Sequence, residues 1–378
     1  MGSGIAQVAS LQGHTVILSD AAPGAVDRAV ANIEKSLARE VDKGRLDKTD
    51  AASAQERLTP ADAAEASFAP CKVVIEAVVE RLDVKQRLFR ALEGAVSEDT
   101  ILATNTSSLS IASIASACRF PGRVVGIHFF NPATLMPLVE IVPGVRTDAQ
   151  VAERATQLVQ GWGKTAVQAK DTPGFIVNRI ARPYYGEALR IAEEGIASPA
   201  TIDWAMKTRG GFRMGPFELM DFIGHDVNYV VTETVWKALF YDPRYRPSIM
   251  QQRLLEAGLL GKKTGRGFFD YTHTAASSNE AAVQDEALAT HVFDRILAML
   301  INEAVDAVHF QIAAPREIDL AMTKGVNYPK GLLAWGDELG WPTILSTLDG
   351  LRDEYGEDRY RASVLLRRMA RTGSKVFA

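Results

Sequence analysis

Short apolar runs alternate with longer amphipathic stretches through the first half of the chain. The stretches at 23–45 and 84–96 repeat their apolar residues at helical spacing. The runs are rich in β-branched residues and have the length of strands: 15–18, 73–75, 100–103, 124–127, 138–142 and 166–168. Strands that alternate with helices predict βαβ units and a parallel sheet, with ligands at the carboxyl ends of the strands.

The second half of the chain predicts helices and contains a repeat. Residues 179–271 show helical patterning with glycine-rich turns, and the polar stretch 272–285 is typical of a linker. Beyond it the pattern returns at a constant offset of 116 residues: Arg179, Glu187, Asp203, Asp221 and Gly224 recur as Arg295, Glu303, Asp319, Asp337 and Gly340. One offset held over so many positions indicates an internal repeat.

Composition narrows the class of protein. A chain of 378 residues with 47% hydrophobic and 23% charged content is ordinary for a soluble globular protein of two or three domains. Its net charge of -4 argues against nucleic acid as a partner. Two cysteines and the lack of a signal peptide or a membrane-length apolar run predict a cytoplasmic protein that binds no membrane.

A histidine and a glutamate end two neighbouring apolar runs within residues 126–142. Oxidation of a secondary alcohol needs a base for the hydroxyl proton, and a histidine titrates in the right range. A carboxylate on the far imidazole nitrogen fixes the tautomer and stabilises the charged ring. We therefore predict that His128 and Glu140 form an acid/base pair, although a histidine in an apolar run is more often a satisfied core residue.

Other polar residues follow the predicted strands. Asp20 comes after the first strand, where its carboxylate could accept both ribose hydroxyls of NAD and repel the 2′-phosphate of NADP; it could also only start a turn. Ser107 follows the 100–103 strand and could bind a substrate oxygen, or it could be a helix N-cap, a role that Ser108 or Ser110 could also fill. Asn178 lies five residues into a helix predicted from Pro173, where its amide could bind substrate without acting as a base.

Three motifs in order resemble one enzyme family. They are Asn-Thr-Ser-Ser-Leu at 105–109, His-Phe-Phe-Asn-Pro at 128–132 and Asp-Thr-Pro-Gly-Phe-Ile-Val-Asn-Arg at 171–179. From residue 1 to about 271 the chain resembles the NAD-dependent 3-hydroxyacyl-CoA dehydrogenases. The resemblance implies conversion of (3S)-3-hydroxyacyl-CoA to 3-oxoacyl-CoA with NAD and without a metal, in fatty-acid or aromatic-acid (phenylacetate-type) catabolism.

The resemblance also implies a fold and a set of contacts. We expect an α/β Rossmann-like NAD-binding domain that lacks its first strand (1–169), then two all-α domains of the family's C-terminal type (170–271 and 285–378). By resemblance the active site comprises Ser107, His128, Glu140 and Asn178. The nicotinamide half of NAD would contact Ala77, Glu80, Lys85 and Asn105, and acyl-CoA would contact Ser36 and Lys43. Taken alone, Glu80 and Lys85 could be an exposed ion pair, and Lys43 a solvated charge.

The beginning of the chain departs from the family pattern. Family members start with an apolar strand and Gly-x-Gly-x-Met-Gly-x-Gly-Ile-Ala, whereas this sequence opens at Met-Gly-Ser-Gly-Ile-Ala. Loss of that interior strand would leave unpaired ladder groups on both neighbours. We expect a start codon placed too late or a truncated chain rather than a natural lack of the strand. Gly2 and the helix that begins there could still offer amide donors to a phosphate.

The repeat carries no second set of the predicted catalytic residues. At the 116-residue offset Asn178 becomes Asp294, and the His128 segment has no second copy. We expect a packing role, either as an intrachain pseudo-dimer of helical domains, as in relatives of 3-hydroxybutyryl-CoA and 3-hydroxyadipyl-CoA dehydrogenases, or within a homo-oligomer. Two other functions stay open: a dehydrogenase of free hydroxy acids or sugar acids, which would use a lysine, and an NAD-deficient homologue that acts as a binding or assembly module.

Overall fold

The computed structural model of the protein describes residues 1–61, 65–272 and 281–377. It divides into two compact units, Met1–Thr172 and Pro173–Ala378. Every strand of the described chain lies in the first unit, and the second unit is helical apart from isolated bridges within 261–270. Most of the predicted linker, residues 273–280, lies outside the described residues. The three predicted domain boundaries stay predictions.

The first unit contains all six predicted strands within two residues of their predicted ends. Its strands are β1 Val16–Leu18, β2 Leu58–Pro60, β3 Val73–Glu76, β4 Ile101–Thr104, β5 Val124–Phe129, β6 Leu138–Pro143 and β7 Thr165–Gln168. Its helices are α1 Gly2–Leu11, α2 Ala25–Asp42, α3 Lys48–Glu56, α4 Leu82–Ala95, α5 Ile111–Ala115 and α6 Ala149–Gly161. The sequence did not predict β2, because only the first of its three residues is buried and the last is proline.

The strands form two separate sheets. The larger has the order β3-β4-β5-β6-β7 and is parallel except between β5 and β6, which are antiparallel. The smaller pairs β1 with β2 in parallel. The main apolar core packs β4, β5 and β6 against α1 and α6.

The break between the sheets lies between β1 and β3. Within the described chain each of these strands has one hydrogen-bonded neighbour, β2 for β1 and β4 for β3. Val16, Val73 and Ile75 are only partly buried at the rim of the main core, whereas β4 and β5 are buried throughout. Each of the two strands therefore presents to the break a backbone edge that has no ladder partner in the described part of the chain.

A strand that fills this break should stabilise the protein. We expect that fusing an apolar segment of about six residues, ending in Gly-x-Gly, ahead of Met1 raises the free energy of unfolding by about 2 kcal/mol or more, because it pairs both edges and covers their side chains. Urea denaturation measures the change. The control is a segment of equal length in which alternate residues are proline, which cannot complete the ladder. Equal stability of both fusions would contradict the prediction that an added strand pairs with the edges of β1 and β3.

The second unit is built from helices. They are α7 Val177–Ile180, α8 Arg182–Glu193, α9 Pro199–Gly210, α10 Pro216–Ile223, α11 His225–Ala238, α12 Ile249–Glu256, α13 Glu286–His309, α14 Pro315–Gly325, α15 Leu332–Leu339, α16 Trp341–Tyr355 and α17 Val364–Thr372. The helix predicted from Pro173 starts only at Val177. That prediction was wrong because Gly174 and Phe175 have φ of 78° and 48°, outside the helical region.

The repeat is visible in the contacts of matching carboxylates. We call α7–α12 the first copy and α13–α17 the second copy. Asp203 accepts hydrogen bonds from two backbone amides at the start of α10, and Asp319 does the same at the start of α15. A Cβ at Gly215 or Gly331 would lie 2.3 Å from the matching aspartate, which explains glycine at both positions.

The two copies bind each other through reciprocal ion pairs. Arg179 Nε in the first copy donates to Glu303 Oε1 in the second at 2.7 Å, and Arg295 Nε in the second donates to Glu187 Oε1 in the first at 2.7 Å. All four side chains are buried. Each arginine of one copy thus meets the glutamate of the other, which is the pattern of a two-fold interface.

Candidate active site

The fold places His128 and Glu140 directly opposite each other. They form a cross-strand pair in the antiparallel ladder between β5 and β6, and His128 Nδ1 lies 2.7 Å from Glu140 Oε2. Glu140 has no solvent exposure and His128 has 5%. Donation from Nδ1 to the carboxylate leaves Nε2 as the acceptor nitrogen of the ring. The pair has the geometry of an acid/base group with its orienting carboxylate.

The loop after β4 carries two predicted site residues. The backbone amide of Phe129 donates to Asn105 Oδ1 at 2.8 Å, which ties the loop to the strand residue beside His128. The backbone amide of Ser107 donates to Glu80 Oε1 at 3.0 Å. Asn105, Ser107 and Glu80 therefore lie together at the carboxyl ends of β3 and β4, the edge where ligands bind in parallel sheets.

Ser107 is not the N-cap of the following helix. α5 begins at Ile111, and the hydroxyl of Ser110 accepts the hydrogen bond from the Ser113 amide. Asp171 strengthens the same helix start by accepting from the Ser110 hydroxyl and from the amides of Ile111 and Ala112. Of the capping residues considered from the sequence, Ser110 was the correct one.

Lys85 is buried between two carboxylates. Its side chain is 1% exposed, and its Nζ lies 2.6 Å from Glu76 Oε1 and 3.2 Å from Glu80 Oε2. The interpretation of Glu80 and Lys85 as an exposed pair is wrong for Lys85. Glu76 was not predicted as a site residue, although a carboxylate that closes an apolar strand was a usable signal.

Glu80 is held in its ionised form. Burial, the largest influence, raises its pKa, but the Thr106 hydroxyl, the charge of Lys85 and donors from Ser108 and Ser107 outweigh burial and lower the pKa below its ordinary value. Thr106 Oγ1 donates to Glu80 Oε1 at 2.5 Å. Thr106 is buried and was also missed from the sequence. The result is a fixed negative charge beside Ser107.

Breaking the buried pair should destabilise the protein far more than breaking an exposed one. We expect Lys85→Met to lower the free energy of unfolding by about 3–5 kcal/mol, because Glu76 would be left buried without a counter-charge. The matched control is Lys72→Met, which removes an exposed ion pair with Asp99 and should cost less than about 1 kcal/mol. Urea denaturation compares them. A small, equal loss in both variants would show that Lys85 is not buried with Glu76 in solution.

The amino end of α1 and the end of β1 suit a dinucleotide. A Cβ at Gly4 would lie 3.3 Å from the Ala133 Cβ, a tight contact, whereas a Cβ at Gly2 would make an ordinary contact of 3.7 Å with the Ala77 Cβ. The first-turn amides of a helix favour a phosphate. Asp20 is exposed two residues after β1, where its Oδ1 also accepts the Ala22 amide. A helix start with open amides and a carboxylate after a strand are the kinds of group that bind a phosphate and a ribose.

Three predicted residues belong to other elements. Ser36 is partly buried on α2, and Lys43 is exposed just after that helix, with Nζ 3.8 Å from a Glu40 carboxylate oxygen. Asn178 belongs to the second unit, where it is the second residue of α7. Their predicted contacts stay predictions.

The described residues 1–61, 65–272 and 281–377 show neither a metal site nor a membrane-spanning helix. These residues contain no group of three or more histidine, cysteine, aspartate and glutamate side chains placed to hold a metal ion. No helix in this part of the chain is long and apolar enough to cross a membrane. Cys71 and Cys118 are both free.

Two models of known domain families match most of the chain. The 3-hydroxyacyl-CoA dehydrogenase NAD binding domain matches residues 1–172. The 3-hydroxyacyl-CoA dehydrogenase C-terminal domain matches residues 174–271 and 291–375. These matches confirm the predicted fold class, an NAD-binding Rossmann-type domain followed by helical C-terminal-type domains.

Individual proteins are similar over most of the chain. The 3-hydroxyadipyl-CoA dehydrogenase of Escherichia coli (strain K12) is 38% identical, covering 98% of this chain and 95% of its own. A probable 3-hydroxybutyryl-CoA dehydrogenase of Bacillus subtilis is 40% identical over 72% of this chain and 94% of its own. The crystal structure of 3-hydroxybutyryl-CoA dehydrogenase from Escherichia coli K12 has a TM-score of 0.92 at 38% identity, covering 98% of this chain and 96% of that one.

Proposed function

This chain belongs to the 3-hydroxyacyl-CoA dehydrogenase family, and we propose that it oxidises (3S)-3-hydroxyacyl-CoA to 3-oxoacyl-CoA with NAD, in fatty-acid or aromatic-acid catabolism. The observation that carries the proposal is the buried contact of 2.7 Å between His128 Nδ1 and Glu140 Oε2. A dehydrogenase of free hydroxy acids that uses a lysine base is not favoured, because Lys85 is already held by Glu76 and Glu80.

The side chains have distinct roles in this reaction. His128 Nε2 takes the proton of the substrate hydroxyl as the carbonyl forms, and Glu140 stabilises the imidazolium and keeps its orientation. The Ser107 hydroxyl and the Asn178 amide bind the substrate oxygen without competing for the proton. NAD, when bound, accepts the hydride from C3. Burial of the histidine pair keeps water from Glu140 and strengthens its interaction with the charged ring.

The cofactor and the acyl carrier have separate binding groups. The amides at Gly2 and the following turn bind the pyrophosphate, Asp20 binds the adenosine ribose, and Ala77, Glu80, Lys85 and Asn105 surround the nicotinamide half. Glu76 supports this set because it fixes Lys85 Nζ at 2.6 Å. Ser36 and Lys43 bind the CoA portion of the substrate.

The assembly and location of the protein belong to the same proposal. The reciprocal pairs of Arg179 with Glu303 and of Arg295 with Glu187 support an intrachain pseudo-dimer of the two helical copies. We propose that this interface takes the place of one between two chains. The free thiols of Cys71 and Cys118 suit a reducing compartment, the cytoplasm.

Turnover should depend on the histidine pair. We expect NADH formation from (3S)-3-hydroxybutyryl-CoA and NAD, with loss of about 10²–10⁴-fold in kcat for His128→Ala and also for Glu140→Gln, which leaves the imidazole without its carboxylate. His309→Ala, a half-buried histidine of the second copy, is the control and should keep full activity.

The assay should be run on the 378-residue chain and on the strand fusion described above. If only the fusion turns over, and His128→Ala abolishes that turnover, the result would support His128 as the base. It would also show that tight NAD binding needs the added strand. Full activity of His128→Ala in a form that turns over would contradict the proposed base. A fold-intact protein that reduces no NAD in either form would support the NAD-deficient binding module instead.

One arginine of the second unit suggests the shape of the acyl group. Of three arginines that could meet a distal carboxylate, Arg213 is exposed and Arg209 pairs with Glu286 at 2.5 Å. Arg182 is buried and lies within ion-pair distance of no carboxylate among the described residues. Its Nη1 donates to the Thr232 hydroxyl at 2.9 Å, while its Nε has no hydrogen-bond partner.

A buried cation without a counter-charge is costly. The groups around Arg182 compensate for this cost only in part. Burial lowers the pKa of Arg182, and the Tyr185 ring lies 4.9 Å from its guanidinium carbon. The nearby Tyr328 hydroxyl also has no hydrogen-bond partner in the described structure. A carboxylate at the far end of the acyl chain would supply the counter-charge that Arg182 lacks, so we propose a dicarboxylic acyl-CoA as the preferred substrate.

Substrate selectivity tests this role of Arg182. We expect Arg182→Met to lower kcat/KM for 3-hydroxyadipyl-CoA by about 10–100-fold, because a hydrogen bond to a charged group contributes about 1.5–3 kcal/mol. The value for 3-hydroxybutyryl-CoA should change little, and the control Arg213→Met should leave both substrates unaffected. Equal losses for both substrates in Arg182→Met would assign Arg182 to packing instead.

A further inference from the structure

A glutamate of the second copy binds Arg179, the residue that follows Asn178. Arg179 is buried, and its Nε donates to Glu303 Oε1 of α13 at 2.7 Å. The same glutamate accepts from Arg244 Nη1 at 3.3 Å and from the Tyr245 hydroxyl, so both of its oxygens are engaged. Glu303 is therefore the meeting point of three side chains from the first copy.

The short helix α7 depends on such contacts. It has four residues, too few to be stable by its own hydrogen bonds. The backbone before it is irregular, with positive φ at Gly174 and Phe175. The ion pair of Arg179 with Glu303 is buried and short, so it constrains the backbone at the position next to Asn178.

The position of the second copy that matches Asn178 has no proposed part in the reaction. Asp294 takes the place of Asn178, and it lies inside the continuous helix α13 rather than in a separate short helix. The second copy thus retains the pairing groups and lacks the amide.

We propose that Glu303 is a positioning residue for the reaction: by fixing Arg179 it fixes the amide of Asn178 against the substrate oxygen. The second copy then supports the reaction through Asn178 and is not only a packing partner. The inference rests on the role proposed above for Asn178.

The pseudo-symmetry of the chain supplies a matched control. Glu187 of the first copy accepts from Arg295 at 2.7 Å, from Arg359 at 2.8 Å and from the Tyr360 hydroxyl at 2.8 Å. Glu187 is as deeply buried as Glu303 and likewise binds two arginines and a tyrosine. The arginine it fixes follows Asp294, for which no part in the reaction is proposed.

The test compares Glu303→Asp with Glu187→Asp in whichever form of the chain turns over. Shortening either glutamate loosens one three-partner cluster, and both variants should lose similar thermal stability. We expect Glu303→Asp to lower kcat by about 10–100-fold, since a displacement of about 1 Å can cost that much. The KM for NAD should stay unchanged, and Glu187→Asp should keep kcat within about twofold of the unsubstituted chain.

A double-mutant cycle with Asn178→Ala separates positioning from general loosening. If Glu303 acts through Asn178, adding Glu303→Asp to Asn178→Ala lowers kcat no further. Equal kcat losses in the two aspartate variants, or an undiminished loss in the Asn178→Ala background, would overturn the inference while leaving the proposed reaction intact. Full activity of Asn178→Ala would overturn both the inference and the proposed role of Asn178.

A second pair of variants covers a failure to fold. Arg179→Lys and Arg295→Lys remove the guanidinium from the same two clusters and keep the positive charge. The same expectation holds: a kcat loss for Arg179→Lys alone supports the inference, and equal losses in both variants overturn it.

Discussion

A charge that leaves water needs a counter-charge or hydrogen bonds inside the fold, and buried carboxylates in both units are placed to meet this requirement. In the first unit the requirement is met between strands, where the Glu140 carboxylate is hydrogen-bonded to His128 Nδ1 across β5 and β6. It is also met between a strand end and a helix, where Glu76 binds Lys85. In the second unit the requirement is met between the two copies, where Glu303 and Glu187 each bind two arginines and a tyrosine.

These pairs connect the fold to the chemistry. An antiparallel neighbour for β5 is what brings Glu140 beside His128, because cross-strand partners in such a ladder lie side by side. The parallel strands β3 and β4 end at the same edge and bring Glu80 to the Ser107 loop. The pair proposed for catalysis is therefore carried by strands, which hold geometry more rigidly than loops do.

The sequence predicted these features unevenly, for physical reasons. The strands were predictable because apolar β-branched runs mark them, and the repeat was predictable because one offset recurs. The partner of Lys85 was missed because Glu76 lies nine residues away in another element, and the partner of Arg179 lies 124 residues away. The start of α7 was misplaced because a helical pattern does not reveal the positive φ of Phe175.

The proposed reaction is hydride transfer from C3 of a (3S)-3-hydroxyacyl-CoA, with His128 as the base. The most direct measurement follows the label of (3S)-3-hydroxybutyryl-CoA deuterated at C3, with NAD, by NMR of the nicotinamide product. For direct hydride transfer we expect that deuterium is recovered at C4 of NADH, that the (3R) substrate is inert and that no label enters solvent. Label released to water, or equal use of both enantiomers, would contradict it.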